Sequence, residues 1–165
     1  MYSIDLPYPE IKVKEKNSKY IDLILLNYSS AISEFDAIAQ YTYHQIALTY
    51  SNKEISDTLC GISIVEMHHL EMLGKIIILL GGEPGYWINN KKKNYWSSKL
   101  VNYDLSSIKD ILNIDIQDEK AAIKQYKETI AQIDDKYINA VLKRIILDEE
   151  FHIQLLMNLY TKYVK

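Results

Sequence analysis

The chain has 165 residues, of which 48% are hydrophobic, and a formal net charge of −3. This composition fits one folded domain and excludes a disordered protein. The weak acidity gives no electrostatic attraction to nucleic acid or anionic lipid, no apolar run is long enough to span a bilayer, and the N-terminus lacks the apolar stretch of a signal peptide. We therefore expect a single cytoplasmic domain over residues 1–165 that binds neither nucleic acid nor membrane.

Four long segments with helical periodicity follow an N-terminal arm at residues 1–17. The predicted helices are A, 18–50; B, 54–81; C, 106–133; and D, 136–163. Short joins predict that A–B and C–D are antiparallel hairpins. The aromatic-rich segment 82–105 between B and C is long enough to run back along the bundle. The pattern predicts an all-α four-helix bundle with up-down, long-crossover, up-down topology.

Each predicted helix carries a glutamate in the middle of its apolar stripe, and in B and D a histidine follows three residues later on the same face. Buried carboxylates are unfavourable unless they are compensated, and no Lys or Arg shares these stripes nearby. Two divalent metal ions would neutralise four carboxylates. The pattern therefore predicts a two-metal site with the ligands Glu34, Glu66, His69, Glu119, Glu149 and His152.

The chain also repeats itself. The motif Glu-x-x-Ala-Ile-x-Gln-Tyr occurs at 34–41 and again at 119–126, which is 85 positions later, and the two Glu-x-x-His pairs are 83 positions apart. The two hairpins are therefore interpreted as copies of one unit, related by a pseudo-twofold axis that would make the metal site symmetric. Tyr41 and Tyr126, which end the two motifs, fall on the same helix face as the glutamates that begin them.

With these motifs, residues 18–163 resemble the ferritin-like di-iron and di-manganese carboxylate proteins, nearest the bacterioferritin and rubrerythrin branch. The resemblance implies a ferritin-like bundle with two bridging glutamates, two terminal glutamates and two terminal histidines. The bridges would be Glu66 and Glu149, the terminal ligands Glu34, Glu119, His69 and His152. Tyr41 and Tyr126 are the candidate catalytic residues, expected to donate hydrogen bonds to the ligands.

The resemblance further implies an oxidoreductase that acts on peroxide or dioxygen in oxidative stress or iron handling, with two iron ions, or alternatively two manganese ions, as cofactor. A peroxide-reducing enzyme with an external electron donor is the first expectation. A ferroxidase and a di-manganese catalase are the alternatives within the same class. A metal-binding structural bundle without turnover is the alternative from a different class. The aromatic crossover and the resemblance together predict a homodimer or a larger oligomer.

Some features depart from the related proteins. Cys60 is the only cysteine, which excludes the Cys-ligated iron domain that often accompanies rubrerythrins, and we expect it to be a small buried hydrophobe. Ala122 stands where a second helix C glutamate is common. The chain ends thirteen residues after His152, so the extra C-terminal helix of ferritin cages, and with it a storage shell, is not expected.

Three further residues lie off the ligand stripes. Met67 occupies a place where bacterioferritin-like proteins bind haem between two subunits, although packing at a surface or interface is the preferred interpretation. His44 and His68 are expected to be ordinary polar positions.

Overall fold

A computed structural model describes residues 2–104 and 106–164. Residue 1 of the predicted arm, residue 105 of the predicted crossover and residue 165 at the end of the predicted domain lie outside the described residues. The helices are α1 Ser18–Ser29, α2 Glu34–Leu48, α3 Lys53–Leu80, α4 Ile108–Gln132 and α5 Lys136–Tyr163. Helices α2 and α3 pack as one hairpin, and α4 and α5 as the other. Helices α1 and α2 both pack against α3 and together replace the first predicted helix, so the predicted four-helix bundle with one long crossover is confirmed.

The first predicted helix is divided at residues 30–33, so the prediction of one continuous helix over 18–50 is wrong there. Serine side chains bond locally to the backbone and favour helix ends over helix interiors. The hydroxyl of Ser33 accepts a hydrogen bond from the backbone N–H of Asp36 (3.2 Å) and caps α2. From α4, the Gln125 amide donates to the carbonyl of Ile32 (2.6 Å). Helix α2 consequently begins at Glu34, one of the predicted ligands.

Helix α3 ends at Leu80 and is capped by Gly81, whose φ of 92° lies in the left-handed region that glycine adopts without strain. The crossover then forms a small antiparallel pair, β1 Trp87–Ile88 and β2 Asn94–Tyr95, and a 3-10 turn at Ser98–Leu100. Its aromatic side chains fix it to α2. The ring of Tyr86 stacks on that of Phe35 with 3.8 Å between the ring centroids, and the Trp96 indole donates a hydrogen bond to Asp36 (2.7 Å).

The apolar core consists of two clusters that lie on either side of a polar layer at mid-bundle. Along α3, Leu59 and Ile62 belong to one cluster and Leu73 and Ile76 to the other. Each such fully buried side chain stabilises the fold by roughly 1.5–3 kcal/mol. The bundle is therefore clamped by apolar packing above and below the layer in which the predicted ligands lie. In the described parts of the chain, no helix combines the length and apolar character that crossing a membrane requires.

Candidate metal centre

The structure brings all six predicted ligands together in the polar layer, and all six are buried. They form two groups, and within each group one ligand atom of every residue lies within 4.8 Å of the others. The first group is Glu34, Glu66, His69 and Glu149, and the second is Glu66, Glu119, Glu149 and His152. Two glutamates belong to both groups, as bridging ligands must.

The two groups have nearly identical geometry. In the first, the Nδ1 atom of His69 lies 2.9 Å from Glu66, 3.2 Å from Glu149 and 3.5 Å from Glu34. In the second, the Nδ1 atom of His152 lies 2.9 Å from Glu66 and 3.2 Å from Glu149, with Glu119 at 3.5 Å. The Oε2 atom of Glu66 faces the first histidine and its Oε1 atom the second.

This donor set fits two metal ions. A single N–H can satisfy one acceptor, yet the Nδ1 atom of each histidine faces three carboxylate oxygens. Among the described residues, Glu66 Oε1 and Glu149 Oε1 are buried without a hydrogen-bond partner, which is unusual for buried oxygens unless an ion or water satisfies them. Oxygen and imidazole donors suit iron and manganese. The cluster thus supports a two-metal site, whereas the role of each single ligand stays a prediction.

The metal-free cluster holds protons. Burial raises the pKa values of Glu34 and Glu119 well above the ordinary range, and the charges of Glu66 and Glu149 add to the rise. Burial acts in the same direction on Glu66, but the charge of His152 and the close approach of both imidazole Nδ1 atoms outweigh it and lower the pKa. Burial alone would lower the pKa of each imidazole, but the surrounding carboxylates raise it well above the ordinary value. Metal binding must displace these protons.

Both predicted tyrosines reach the cluster, and each crosses to the opposite helix. The hydroxyl of Tyr41 on α2 donates to Glu119 on α4, and the hydroxyl of Tyr126 on α4 donates to Glu34 on α2. Burial and then the neighbouring carboxylates raise the pKa values of both hydroxyls well above their ordinary value. Both side chains are therefore neutral hydrogen-bond donors, while their catalytic role stays a prediction.

Sequence reasoning missed the residues behind the histidines. The Nε2 atom of His69 donates to Asp148 (3.0 Å), which also accepts from the Tyr8 hydroxyl (2.5 Å) and pairs with Arg144 at 2.7 Å. Burial would raise the pKa of Asp148, but these hydrogen bonds lower it, so the carboxylate is ionised. A readable signal existed: the one arginine of the chain stands four residues before an Asp that directly precedes a Glu-x-x-His pair.

Comparison with known proteins agrees with this geometry. The family model for rubrerythrin matches residues 25–160. The chain belongs to the rubrerythrin family. No curated relative matches the sequence.

Among solved structures, KatB, a manganese catalase from Anabaena, superimposes with a TM-score of 0.85 over 98% of this chain and 80% of its own, at 23% identity. The bacterioferritin of Desulfovibrio desulfuricans, which has a diiron site, covers 87% of this chain and 79% of its own, with a TM-score of 0.72 and 24% identity. The Mycobacterium tuberculosis bacterioferritin BfrA covers 90% of this chain and 89% of its own, with a TM-score of 0.71 and 23% identity. At these identities the likeness establishes the ferritin-like fold.

In this rubrerythrin-family chain a small cavity leads to the cluster between α2 and α4. It has about 30 Å³ of space for water-sized molecules, and its lining extends from the exposed Ala31 to the buried ligands Glu66 and Glu149. Ala37 and Ala122, which are equivalent in the two repeats, line it. Because position 122 is alanine, no second helix C carboxylate fills this space. The cavity has room for about two water molecules.

The prediction for His44 is wrong. Its side chain is fully buried, with Nδ1 at 3.0 Å from Asp115 and Nε2 at 3.0 Å from the carbonyl oxygen of Asn102. Gln40, from the first repeat, donates to Asp115 (3.1 Å) and to Asp118 (2.7 Å). This network holds the end of the crossover against α2 and α4.

The remaining candidates lie on the outside of α3 or near its start. His68 is half-exposed, as predicted for an ordinary polar position. Met67 is also exposed, and haem binding there stays untested. Cys60, predicted to be buried, is only partly so.

Proposed function

We propose that this protein is a di-metal oxidoreductase that consumes hydrogen peroxide, with two iron or two manganese ions held by the six clustered side chains. The observation that carries the proposal is the pair of matched ligand groups that share Glu66 and Glu149 and open into a cavity of about 30 Å³. When bound, two adjacent redox metals supply two-electron chemistry suited to a peroxide bond. The family and the likeness to a manganese catalase support the same reaction class.

The chain contributes binding, exclusion and proton handling. The cavity is lined by small, amide and carboxylate side chains and admits a molecule the size of peroxide. Beside its inner end, Tyr41 and Tyr126 each hold a hydroxyl proton that they donate to the carboxyl group of Glu119 or Glu34. Such a tyrosine–glutamate pair can donate a proton to a developing hydroxide and recover it from water. The rigid helices on which all these groups stand keep their geometry fixed through a turnover.

The test is peroxide consumption by protein reconstituted with Mn²⁺ or with Fe²⁺, with oxygen evolution recorded at the same time. One oxygen per two peroxides without a reductant indicates catalase-type disproportionation. Consumption that requires an electron donor and releases no oxygen indicates a peroxidase, which is the expected type. The matched control is Glu66→Ala/Glu149→Ala protein treated with the same metals. Equal rates for the control and the wild-type protein, with either metal, would refute the proposed function.

A ferroxidase is the second candidate, and a specific observation favours it. Asp36 and Asp118 line the cavity, and two carboxylates on an access path attract Fe²⁺. Burial, with a contribution from Asp118, raises the pKa of Asp36 to about 6 despite the hydrogen bond from Trp96. Asp36→Asn/Asp118→Asn should slow Fe²⁺ oxidation by dioxygen while leaving the number of bound metals unchanged. If the wild-type protein binds two metals but turns over neither substrate, the non-catalytic metal-binding alternative replaces both enzyme proposals.

A further inference from the structure

The two halves of the cluster differ at the outer nitrogen of their histidine. The Nε2 atom of His69 donates to the side-chain carboxylate of Asp148 at 3.0 Å. The Nε2 atom of His152 instead donates to a neutral backbone carbonyl, that of Tyr2, also at 3.0 Å. The inner ligands of the two halves match closely, so the asymmetry arises outside the ligand set.

The sequence explains this difference. The offset of 83 positions that relates the Glu-x-x-His pairs also aligns Val65 with Asp148 and Gly61 with Arg144. One hairpin thus has a charged pair where the other has two uncharged residues. On the uncharged side no carboxylate stands at the aligned position, and the N-terminal arm supplies the missing acceptor.

Gly61 lets the arm approach. A Cβ atom at this position would lie 2.2 Å from carbon atoms of the Tyr2 ring, so the ring occupies the place of the absent side chain. Glycine disfavours a helix interior, yet Gly61 is buried in the middle of α3. The close approach of Tyr2 gives a reason for the glycine that helix formation does not.

The rest of the arm is held by the charged pair. Asp148 accepts a hydrogen bond from the backbone N–H of Ile4 (2.8 Å), and Arg144 donates to the carbonyl oxygens of Ile4 (2.9 Å) and Leu6 (3.0 Å). The ring of Tyr8 lies 4.2 Å from the Arg144 guanidinium carbon. Residues 2–8 are therefore fixed at several points across the side of the cluster on which both histidines lie.

We infer that residues 2–8 are a positioning strap that makes the two metal positions unequal. The strap orients His152 through the Tyr2 carbonyl, while Asp148, which the strap covers, orients His69. A carboxylate partner makes an imidazole a stronger donor to metal than a carbonyl partner does. The position that includes His69 should consequently bind its metal more tightly. This inference rests on the proposed two-metal function.

Gly61→Ala isolates the strap, because it displaces Tyr2 without touching a ligand. The probe is Co²⁺, titrated calorimetrically into metal-free protein and followed by its visible absorption. Wild-type protein should show two unequal dissociation constants. In the variant the weaker constant should rise roughly 10- to 100-fold, the range for loss of a ligand's hydrogen-bond partner, and the tighter one should change little. Asp148→Asn should raise the tighter constant, and because Asp148 also anchors the strap through Ile4 it should raise the weaker constant as well.

Two controls separate positioning from general damage. Gly74 is on the same helix, and a Cβ atom there would lie 3.4 Å from its nearest neighbour, which is an ordinary contact. Gly74→Ala should therefore leave both dissociation constants unchanged. Ala is also the better helix former, so damage to α3 itself is not expected from either change. In a His152→Gln background Gly61→Ala should have no further effect, whereas in a His69→Gln background its full effect should persist.

The outcomes separate the two hypotheses. If wild-type protein fails to bind two metals, the proposed function fails. If wild-type protein binds two metals and Gly61→Ala leaves both dissociation constants and the Co²⁺ spectrum unchanged, the strap hypothesis is refuted and the proposed function stands. Equal weakening of both constants by Gly61→Ala would also overturn the strap.

Discussion

Removal of the metal should make the stability of the protein fall as the pH rises from about 5 to 8. In the folded metal-free chain, burial and like charge raise the pKa values of Glu34 and Glu119, so both stay protonated where the unfolded chain has lost those protons. His69 and His152 also have raised pKa values, so above about pH 6.5 they too hold protons that the unfolded chain has lost. The folded state then binds more protons than the unfolded state, and its free energy of unfolding must decrease with pH.

Each excess proton contributes about 1.4 kcal/mol per pH unit. Two glutamates that remain protonated contribute up to about 3 kcal/mol per unit, and two protonated histidines double this limit above about pH 6.5. For a chain of this size 1 kcal/mol corresponds to about 2–4 °C in Tm, so the metal-free Tm should fall by up to about 6–12 °C per unit below about pH 6.5 and more steeply above it. Glu66 and Glu149 have lowered pKa values. Their contribution is lost only in acid, below about pH 4, outside this window.

Metal-bound protein should lack this slope, because metal ions replace the protons and compensate the carboxylates. Differential scanning calorimetry of both forms between pH 5 and 8 should therefore show a gap in Tm that widens with pH. The matched control is Glu34→Gln/Glu119→Gln, whose amides cannot titrate and whose metal-free Tm should be much less sensitive to pH between about pH 5 and about 6.5, where the histidines do not yet contribute. A gap that stays constant or narrows would contradict a buried, uncompensated carboxylate cluster.

Three further predictions concern other parts of the molecule. Glu66→Ala/Glu149→Ala should abolish binding of both metal equivalents, with the metal content measured by elemental mass spectrometry. Retention of two equivalents would refute the bridging assignment. His44→Ala removes the imidazole partner of the buried Asp115 and leaves it only the hydrogen bond from Gln40, so the free energy of unfolding should fall by about 3–5 kcal/mol in urea titrations, whereas a loss below about 1 kcal/mol would show that the network contributes little. Light scattering at micromolar concentration should give a dimer or a larger species, and a monomer would contradict the predicted oligomer.

The bundle and the convergence of the six candidate ligands could be predicted because both follow from local spacing. A glutamate in an apolar stripe has few acceptable environments, and the repeated motif shows which stripes face each other. The break before Glu34 was predictable too, since Ser33 and Asp36 carry a capping signal, but the apolar periodicity continues across it and hid it. Periodicity reports which face is buried and is insensitive to a short interruption.

The contacts behind the histidines could not be predicted in the same way. The Tyr2 carbonyl and His152 are 150 positions apart, and every residue except proline at such a distance offers the same backbone groups. His44 finds Asp115 71 positions away, one charged residue among many. Local patterns identify polar residues that need a partner, whereas the choice of partner depends on how the arm and crossover pack over the finished bundle.

The site has one open side and one closed side, and this decides which groups can serve a substrate. The cavity lies between α2 and α4, where Ala37, Tyr41 and Tyr126 line it. The arm contacts α3 and α5, where its carbonyl bonds to His152. A small oxidant that arrives through the cavity therefore meets the tyrosines and their carboxyl partners before it meets an imidazole. Since the outer imidazole nitrogens already donate to Asp148 and to the arm, the proposed function assigns proton transfer to the tyrosine–glutamate pairs and would leave the histidines to hold the metals.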